Sequence, residues 1–322
     1  MAASSGPRLE AVKKPAIGWI GIGKMGAPMS RRVLAAGYPV SVFEPVAQNR
    51  ATVVAEGASL ATSIAQMAGA CDIMVSTIPN DHVLRAIVFG EDGLGAHLKP
   101  GQIFVEMSTV SPGISTIVAA ELQQRGVDYI RAPVSGSTAT AQDGKLTVFA
   151  SGPEHAYASV RELLTSFSVR QYYVGAAEEA RYLKLVLNTL VGATSALVAE
   201  ALSLGASGGL SRETMLEVIS ESAVASPLIG YKKAMLVSRQ FEPAFSVDQM
   251  IKDFDLIGEA ARERHVPMLA AALVRQQYEI ARAMGHGDRD FFVLSDLQEK
   301  LAGQGEGEVQ GASPLRSVTS KK

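Results

Sequence analysis

Two polar side chains interrupt a long apolar run near the middle of the chain. They are Lys184 and Asn188, in Lys184-Leu185-Val186-Leu187-Asn188. The run, residues 178–206, contains no proline and reads as one helix, which places the pair one turn apart on one face. Two readings are open for the pair by itself. A lysine at the edge of a buried helix can lay its stem on apolar surface and keep its ammonium in water. It can also stand in a partly dry site that lowers its pKa and lets it move protons. A second constellation lies near the N-terminus, where Gly21-Ile22-Gly23-Lys24-Met25-Gly26 follows the apolar run 16–20 and precedes helical spacing over 27–36. A strand, a GxGxxG turn and a helix in that order form the context of a dinucleotide site. Gly21 permits the tight turn, Gly23 lets backbone approach a pyrophosphate, and Gly26 lets the helix pack closely on the strand. The helix start then offers free N–H groups and partial positive charge to the phosphates.

The elements around these residues alternate. Residues 40–43 read as a second strand ending in Glu44-Pro45. An acid roughly twenty residues beyond the glycines is placed to accept hydrogen bonds from the adenosine ribose. A 2′-phosphate would meet Glu44 as a like charge, and Pro45 supplies no cation, so NAD is favoured over NADP; Arg50 is a cation that could still reach the pocket. Further strands are expected at 72–76, 103–106, 127–130, 146–150 and 169–174, with helices between them. That alternation means a doubly wound parallel sheet of Rossmann type, an α/β fold. Ligands bind at the carboxyl ends of such strands, and three turns fall there: Ile78-Pro79-Asn80, Ser108-Thr109 and Ser135-Gly136. After about residue 178 the strands stop. Helical patterns at 183–206, 212–221, 226–237, 247–263, 267–284 and 290–301 imply an all-helical second domain. The expected organisation is a disordered tail over 1–15, a dinucleotide-binding domain over 16–178, a helical substrate and dimerisation domain over 179–302 and a disordered tail over 303–322.

The chain has 322 residues, is 47% hydrophobic and 19% charged, and carries a formal net charge of −2. This is an ordinary globular composition that can bury a core, and it offers no general attraction to nucleic acid or to an anionic membrane. The single cysteine, Cys71, excludes an internal disulfide framework and fits a reducing, cytoplasmic setting; it reads as a packing residue. No membrane span is expected, because the most apolar segment carries Asn188 and Glu200 and reads as a buried helix. Its apolarity on every face suggests the spine of a homodimer or homotetramer. The five histidines lack zinc-ligand spacing. Lys232-Lys233 reads as a solvated helix face rather than a phosphate site. Lys252-Asp253 can be a solvated pair at a helix start.

Four blocks, in order, resemble the beta-hydroxyacid dehydrogenases, the family of 3-hydroxyisobutyrate dehydrogenase. They are residues 21–26, the Glu106-Met107-Ser108-Thr109 turn with Pro112, Ala132-Pro133-Val134-Ser135-Gly136, and Lys184 with Asn188. The resemblance covers nearly all of 16–302. It implies a catalytic lysine at Lys184, a substrate-binding amide at Asn188, a substrate-carboxylate loop at Ser135 and Gly136, and a cofactor turn at Thr109. It also implies that Lys252 closes over the cofactor. Two positions depart from the family pattern. Arg131 stands where an acid is usual, and Ser137 replaces a glycine, which leaves the choice of substrate open. Relatives of other activities fit less well. The histidine that precedes the asparagine in 6-phosphogluconate dehydrogenases is Leu187 here, and their glutamate three residues after it is Val191. Imine reductases generally lack the lysine. No tyrosine has a lysine four residues on, as short-chain dehydrogenases require.

The function expected is NAD-dependent oxidation of a small beta-hydroxyacid, of the 3-hydroxyisobutyrate kind, to its semialdehyde, or the reverse. Lys184 would take or return the hydroxyl proton, while Ser135, the Gly136 N–H and Asn188 hold the small carboxylate-bearing substrate. The cofactor would lie on Gly21, Ile22, Gly23, Lys24, Met25, Gly26, Glu44, Ile78, Pro79, Thr109 and Lys252. The alternative is an NADPH-dependent reductase of glyoxylate, of succinic or tartronate semialdehyde, or of imines on the same fold. A non-catalytic nucleotide-binding protein is the rival from another class, and the retention of Lys184 argues against it. The particular hydroxyacid and the direction of flux stay open.

Overall fold

A computed structural model describes residues 14–304; the outer parts of both expected tails, 1–13 and 305–322, lie outside the described residues. The chain forms two compact units that part between Lys184 and Leu185.

The first unit is built on nine strands: β1 (Ile17–Ile20), β2 (Val40–Phe43), β3 (Ser59–Leu60), β4 (Ile73–Ser76), β5 (Ile103–Glu106), β6 (Asp128–Arg131), β7 (Val134–Ser135), β8 (Leu146–Ser151) and β9 (Ser168–Gly175). Eight helices connect them: α1 (Gly26–Ala35), α2 (Ala47–Ala55), α3 (Ile64–Ala70), α4 (Asp81–Phe89), α5 (Leu94–His97), α6 (Pro112–Gln124), α7 (Thr138–Gln142) and α8 (Glu154–Thr165). The sheet order is β3-β2-β1-β4-β5-β6-β8-β7, with β9 paired to β8. From β3 to β6 every pairing is parallel. The doubly wound parallel sheet expected is present, and beyond β6 it is extended by antiparallel pairings. Strand β8 runs antiparallel to β6 and to β7, and β9 returns parallel to β8. The segment 132–145 between β6 and β8 is taken up by β7 and the short α7, and the chain turns back on itself. Strands β3 and β7 are two residues each, below what sequence periodicity can register.

Strands β1, β4 and β5 are buried at every position, as in a sheet covered by helices on both faces. The alternation of side chains separates two cores. Ile17, Trp19, Ile73, Val75, Ile103 and Val105 join one; Ile20, Met74, Phe104 and Tyr129 join the other. Cys71 is buried in the second core, as its packing role requires. The register then decides where the turns emerge. Ile20 partners Phe43 and Ser76, Ser76 partners Glu106, and Glu106 partners Arg131. Five strands therefore end level with one another, and the turns that follow them share one rim of the sheet.

A 29-residue helix, α9 (Glu179–Ser207), carries the chain from the first unit into the second. Its first residues are fastened to the first unit: the Ala180 N–H donates to Ser151 Oγ, and Arg181 is 1% exposed. That anchorage is why the compact units part inside the helix rather than at its start. By length and composition α9 is the one helix among the described residues that could cross a membrane. It uses its polar groups as a core helix does, however, with Arg181 and Ser195 buried and each hydrogen-bonded within its own unit.

The second unit continues with α10 (Arg212–Glu221), α11 (Pro227–Ser238), α12 (Val247–Glu263), α13 (Leu269–Ala281) and α14 (Leu294–Leu301). A π-helical turn (Arg282–His286) and a 3-10 turn (Phe291–Val293) separate the last two. Tyr278 of α13 donates to the Gly192 carbonyl of α9 at 3.0 Å. No side chain stands at Gly192 because a Cβ there would fall 2.3 Å from the Phe254 ring. The expectation of a solvated Lys232 is overturned. Lys232 is 2% exposed, its ammonium lies 2.5 Å from Asp290, and the rings of Phe291 and Phe292 surround it. A lone charge could not be buried, but this one is paired and capped by aromatic faces. Lys233 remains half-buried.

Because truncation leaves Asp290 as an uncompensated buried charge, Lys232→Met should cost the helical unit about 3–5 kcal/mol. The double variant Lys232→Met with Asp290→Asn should recover most of that loss. Urea unfolding monitored by circular dichroism would check both. A loss below about 1 kcal/mol for the single variant would be incompatible with a buried ion pair.

Candidate functional site

The glycine turn leads from β1 to α1. Gly21 has φ +87°, and a Cβ there would lie 2.2 Å from the Thr77 carbonyl oxygen. Thr77 Oγ1 donates to the Gly21 carbonyl and accepts from the Trp19 indole N–H, which ties the turn to the end of β4. A Cβ at Gly26 would come within 2.0 Å of the Gly21 oxygen, so α1 packs against the turn as only glycine allows. At Gly23 a Cβ would meet no atom within 4 Å. That glycine leaves open space rather than filling a contact. Helix α1 also begins without a capping side chain, so its first N–H groups have no side-chain acceptor. Lys24 is exposed beside them and Met25 is half-buried. Open space over a glycine and uncapped helical N–H groups fit a nucleotide pyrophosphate.

Glu44, at the end of β2, is 8% exposed. Each of its carboxylate oxygens accepts one backbone N–H, from Ile22 at 2.8 Å and from Val46 at 2.9 Å. The acid is thereby held directly against the glycine turn. A carboxylate oxygen can take a second donor, so it retains capacity for a sugar hydroxyl. Arg50 donates to the Glu44 carbonyl at 2.6 Å, which places a cation at the same strand end. Nearby, Phe43, Ile64 and Ala86 line a cavity of about 170 Å³.

Two further turns meet at the same rim. The Ile78 N–H donates to Ser108 Oγ at 2.7 Å, which joins the turn after β4 to the turn after β5. Ile78 and Thr109 are half-buried, whereas Pro79 is exposed. Ser135 lies on β7 opposite Thr147 and is half-buried. Gly136 follows with φ +140°, where a Cβ would strike Thr140 Oγ1 and Leu146. Ser137 does not project into the loop as a free hydroxyl: it caps α7, exchanging hydrogen bonds with Thr140. Arg131 is not free either. It is 5% exposed, ion-paired with Glu178, and stacked 4.5 Å over the Tyr129 ring. The two departures from the family pattern thus have structural partners of their own.

Lys184 stands half-buried on α9 in the first unit. Asn188 follows one helical turn later, within the second unit, where its amide Nδ2 donates to Asp253. Asp253 is fully buried, and the half-buried Lys252 ammonium lies 2.7 Å from its other oxygen. The expected solvated alternative for Lys252-Asp253 does not hold for the aspartate, which orients Asn188 instead.

Sequence reasoning missed one residue, Arg181. Fully buried, it donates to the Ser108 carbonyl at 2.8 Å and to Tyr129 Oη at 2.9 Å, and its Nη2 lies 2.5 Å from Glu106 Oε2. Burial works against its charge, but Glu106, with Tyr129 and Glu178, outweighs it and holds the guanidinium above its usual range. Burial likewise raises the Tyr129 phenol. The available signal was an arginine one turn before Lys184 in an apolar helix.

The fold and these turns define a pyridine-nucleotide-binding oxidoreductase. Residues 16–175 match the family described as the NAD binding domain of 6-phosphogluconate dehydrogenase. Residues 179–296 match the one described as NAD-binding of NADP-dependent 3-hydroxyisobutyrate dehydrogenase. The chain is 35% identical over 288 residues to 2-(hydroxymethyl)glutarate dehydrogenase of Eubacterium barkeri, covering 89% of this chain and 96% of that protein. It is 31% identical over 295 residues to the NAD-dependent L-serine dehydrogenase of Pseudomonas aeruginosa, covering 89% and 99%. The crystal structure of 3-hydroxyisobutyrate dehydrogenase from Salmonella typhimurium superposes with a TM-score of 0.80 at 28% identity, covering 88% and 99%. The chain belongs to the hydroxyacid dehydrogenase family that includes 3-hydroxyisobutyrate dehydrogenase, oxidoreductases that act on the CH–OH group of hydroxyacids.

Gly23→Ala separates the binding role of the turn from its folding role. The added methyl meets no protein atom, so the thermal midpoint should stay at its wild-type value. NADH affinity, read by fluorescence titration, should fall at least tenfold, about 1.4 kcal/mol. Gly26→Ala should lower both. Wild-type NADH affinity in Gly23→Ala would remove the pyrophosphate from this turn.

Proposed function

We propose that the protein oxidises a small beta-hydroxyacid to its semialdehyde with NAD, or catalyses the reverse, with Lys184 as the proton-transferring group. The observation that carries this reading is the half-buried Lys184, in the same compact unit as the glycine turn and the Ser108-Thr109 turn. The bound nicotinamide would accept or supply the hydride, chemistry that belongs to the cofactor. The protein's share is the proton. When hydride leaves the carbinol carbon the hydroxyl must lose its proton, and a positioned base takes it. To act as that base, Lys184 would have to present a free amine to the hydroxyl. Ser135 and the Gly136 N–H would hold the substrate carboxylate, Asn188 would bind the substrate with its orientation set by Asp253, and Thr109 would face the nicotinamide end. Lys252 would approach the cofactor.

The Glu44 carboxylate, fixed against Ile22, supports NAD: it would accept from ribose hydroxyls and repel a 2′-phosphate. The named activity of the L-serine dehydrogenase relative is also NAD-dependent. A second reading, an NADPH-dependent reductase of small semialdehydes, draws on Arg50 at the same strand end and on the NADP-dependent description of the second family. Side-by-side turnover with the two cofactors separates them. NAD(H) should be preferred by at least tenfold, about 1.4 kcal/mol, and Glu44→Ser with Pro45→Arg should move the preference towards NADP(H). A tenfold preference for NADP(H) in the wild type would favour the second reading.

We also propose a homodimer or larger symmetric assembly. Helix α9 leaves Val186, Leu190, Leu197 and Leu204 exposed along one stripe, and α13 leaves Leu269 and Leu273 exposed. Light scattering at micromolar concentration should give a multiple of the 33.9 kDa chain mass; a monomer would refute it.

The mechanism is tested by Lys184→Ala, assayed on 2-(hydroxymethyl)glutarate, L-serine and 3-hydroxyisobutyrate, using whichever the wild type turns over fastest. Turnover should fall roughly 10²- to 10⁴-fold while NADH affinity changes little. Lys184→Arg should also be poor, since a guanidinium does not give up its proton. Near-normal turnover of Lys184→Ala, with chemistry rate-limiting, would end this mechanism.

A further inference from the structure

We propose that Arg181 is a positioning residue for the reaction: through Glu106 and the Ser108 carbonyl it locks the first turns of α9, and Lys184 with them, to the Ser108-Thr109 turn. This inference rests on the reading of Lys184 as the proton-transferring group.

The geometry leaves the guanidinium little freedom. Nη1 donates to the Ser108 carbonyl at 2.8 Å, Nη2 to Tyr129 Oη at 2.9 Å, and Nε to Ser115 Oγ at 3.3 Å. The Glu106 carboxylate, fully buried at the end of β5, lies 2.5 Å from Nη2. The other oxygen of Glu106 accepts from the Ser108 N–H at 2.8 Å and from the Ser76 hydroxyl at 3.3 Å. Ser108 Oγ in turn receives the Ile78 N–H. One guanidinium and one carboxylate therefore join the ends of β4 and β5, a tyrosine of β6 and the start of α9. Lys184 is three residues beyond Arg181 on a continuous helix, where i and i+3 are neighbours. A helix so short between them transmits position rather than absorbing it.

A buried pair of charges is not needed for stability, since well-packed apolar residues of similar volume often serve as well or better. A planar fork with fixed donor directions supplies something apolar packing lacks, which is a defined angle between two elements. The elements so joined carry the proposed base and the proposed nicotinamide turn.

The test uses the full chain and the fastest substrate of the panel above. Arg181→Lys keeps the charge but loses the fork. Turnover should fall roughly 10- to 100-fold, the scale of a small misplacement of a reacting group, while the NADH Kd stays within about threefold of wild type. Placed in a Lys184→Ala background, Arg181→Lys should reduce the residual rate no further, because its effect runs through the lysine. If Arg181→Lys does not fold, Arg181→Met with Glu106→Gln removes the cation and the anion together, leaves no orphaned ion, and should give the same result. Wild-type turnover with only a lowered thermal midpoint would assign Arg181 to stability alone and overturn the proposal. Fully multiplicative losses in the Lys184→Ala background would overturn it as well. Unimpaired turnover in Lys184→Ala alone would instead break the reading of the lysine, and the positioning role would fall with it; impaired Lys184→Ala beside normal Arg181 variants would break the positioning role only.

Discussion

Parallel strands in register end together, and that constraint places everything else on the first unit. Ile20, Phe43, Ser76, Glu106 and Arg131 are successive register partners across five strands. The turn after each strand therefore opens on one rim, and residues far apart in sequence become neighbours there. Ile22 meets Glu44, Thr77 meets Gly21, and Ile78 meets Ser108 through single hydrogen bonds. Slipping one strand by a residue would turn its buried side chains to the opposite face, and the two cores on either side of the sheet resist that. The rim is thus fixed by hydrophobic burial, and the polar contacts on it refine a geometry that the sheet has already imposed.

Charge is buried in both units, and three pairs carry it in company. Arg181 with Glu106, Arg131 with Glu178, and Lys232 with Asp290 are each nearly removed from water. Ions taken out of water need an opposite charge and further hydrogen bonds to remain charged, and each pair has them or aromatic faces in their place. In the first unit these pairs surround Tyr129 and bind the beginning of α9. In the second, the buried Asp253 holds Asn188, one helical turn beyond Lys184 on α9. The family resemblance concerns the residues that would touch substrate and cofactor. The arrangement that holds them also draws on side chains outside those motifs: Arg181, which meets Glu106 and the Ser108 carbonyl inside one of them, and Tyr129, which accepts from Arg181.

Local signals carried much of the architecture. The glycine turn, the strand at 40–43 with its terminal acid, and the long helix that bears Lys184 follow from periodicity and from the conformational freedom of glycine, which act over a few residues. Hydrophobic spacing likewise announced the change from alternating strands to helices only. The membership of the hydroxyacid dehydrogenase family was legible because its blocks are short, ordered and contiguous. Boundaries were less sharp where helices change type, as at the π-helical turn after α13.

What the chain alone could not disclose is who meets whom across long separations. Nothing local distinguishes Lys232, buried on Asp290 58 residues away, from a solvated lysine beside Lys233. Nothing local shows that Ser137 turns inward to cap a helix, that Arg131 is spent on Glu178, or that β8 reverses against β6. The burial and partners of a polar side chain are properties of the folded sheet and bundle, because desolvation depends on every element that closes around it. The sequence by itself determined the longer strands and helices, the nucleotide turn and the side chains available for chemistry at Lys184 and Asn188. Only the tertiary structure decided which charges are paired, and it joined Arg181 to the Ser108-Thr109 turn by bringing positions 73 apart in sequence back to one rim.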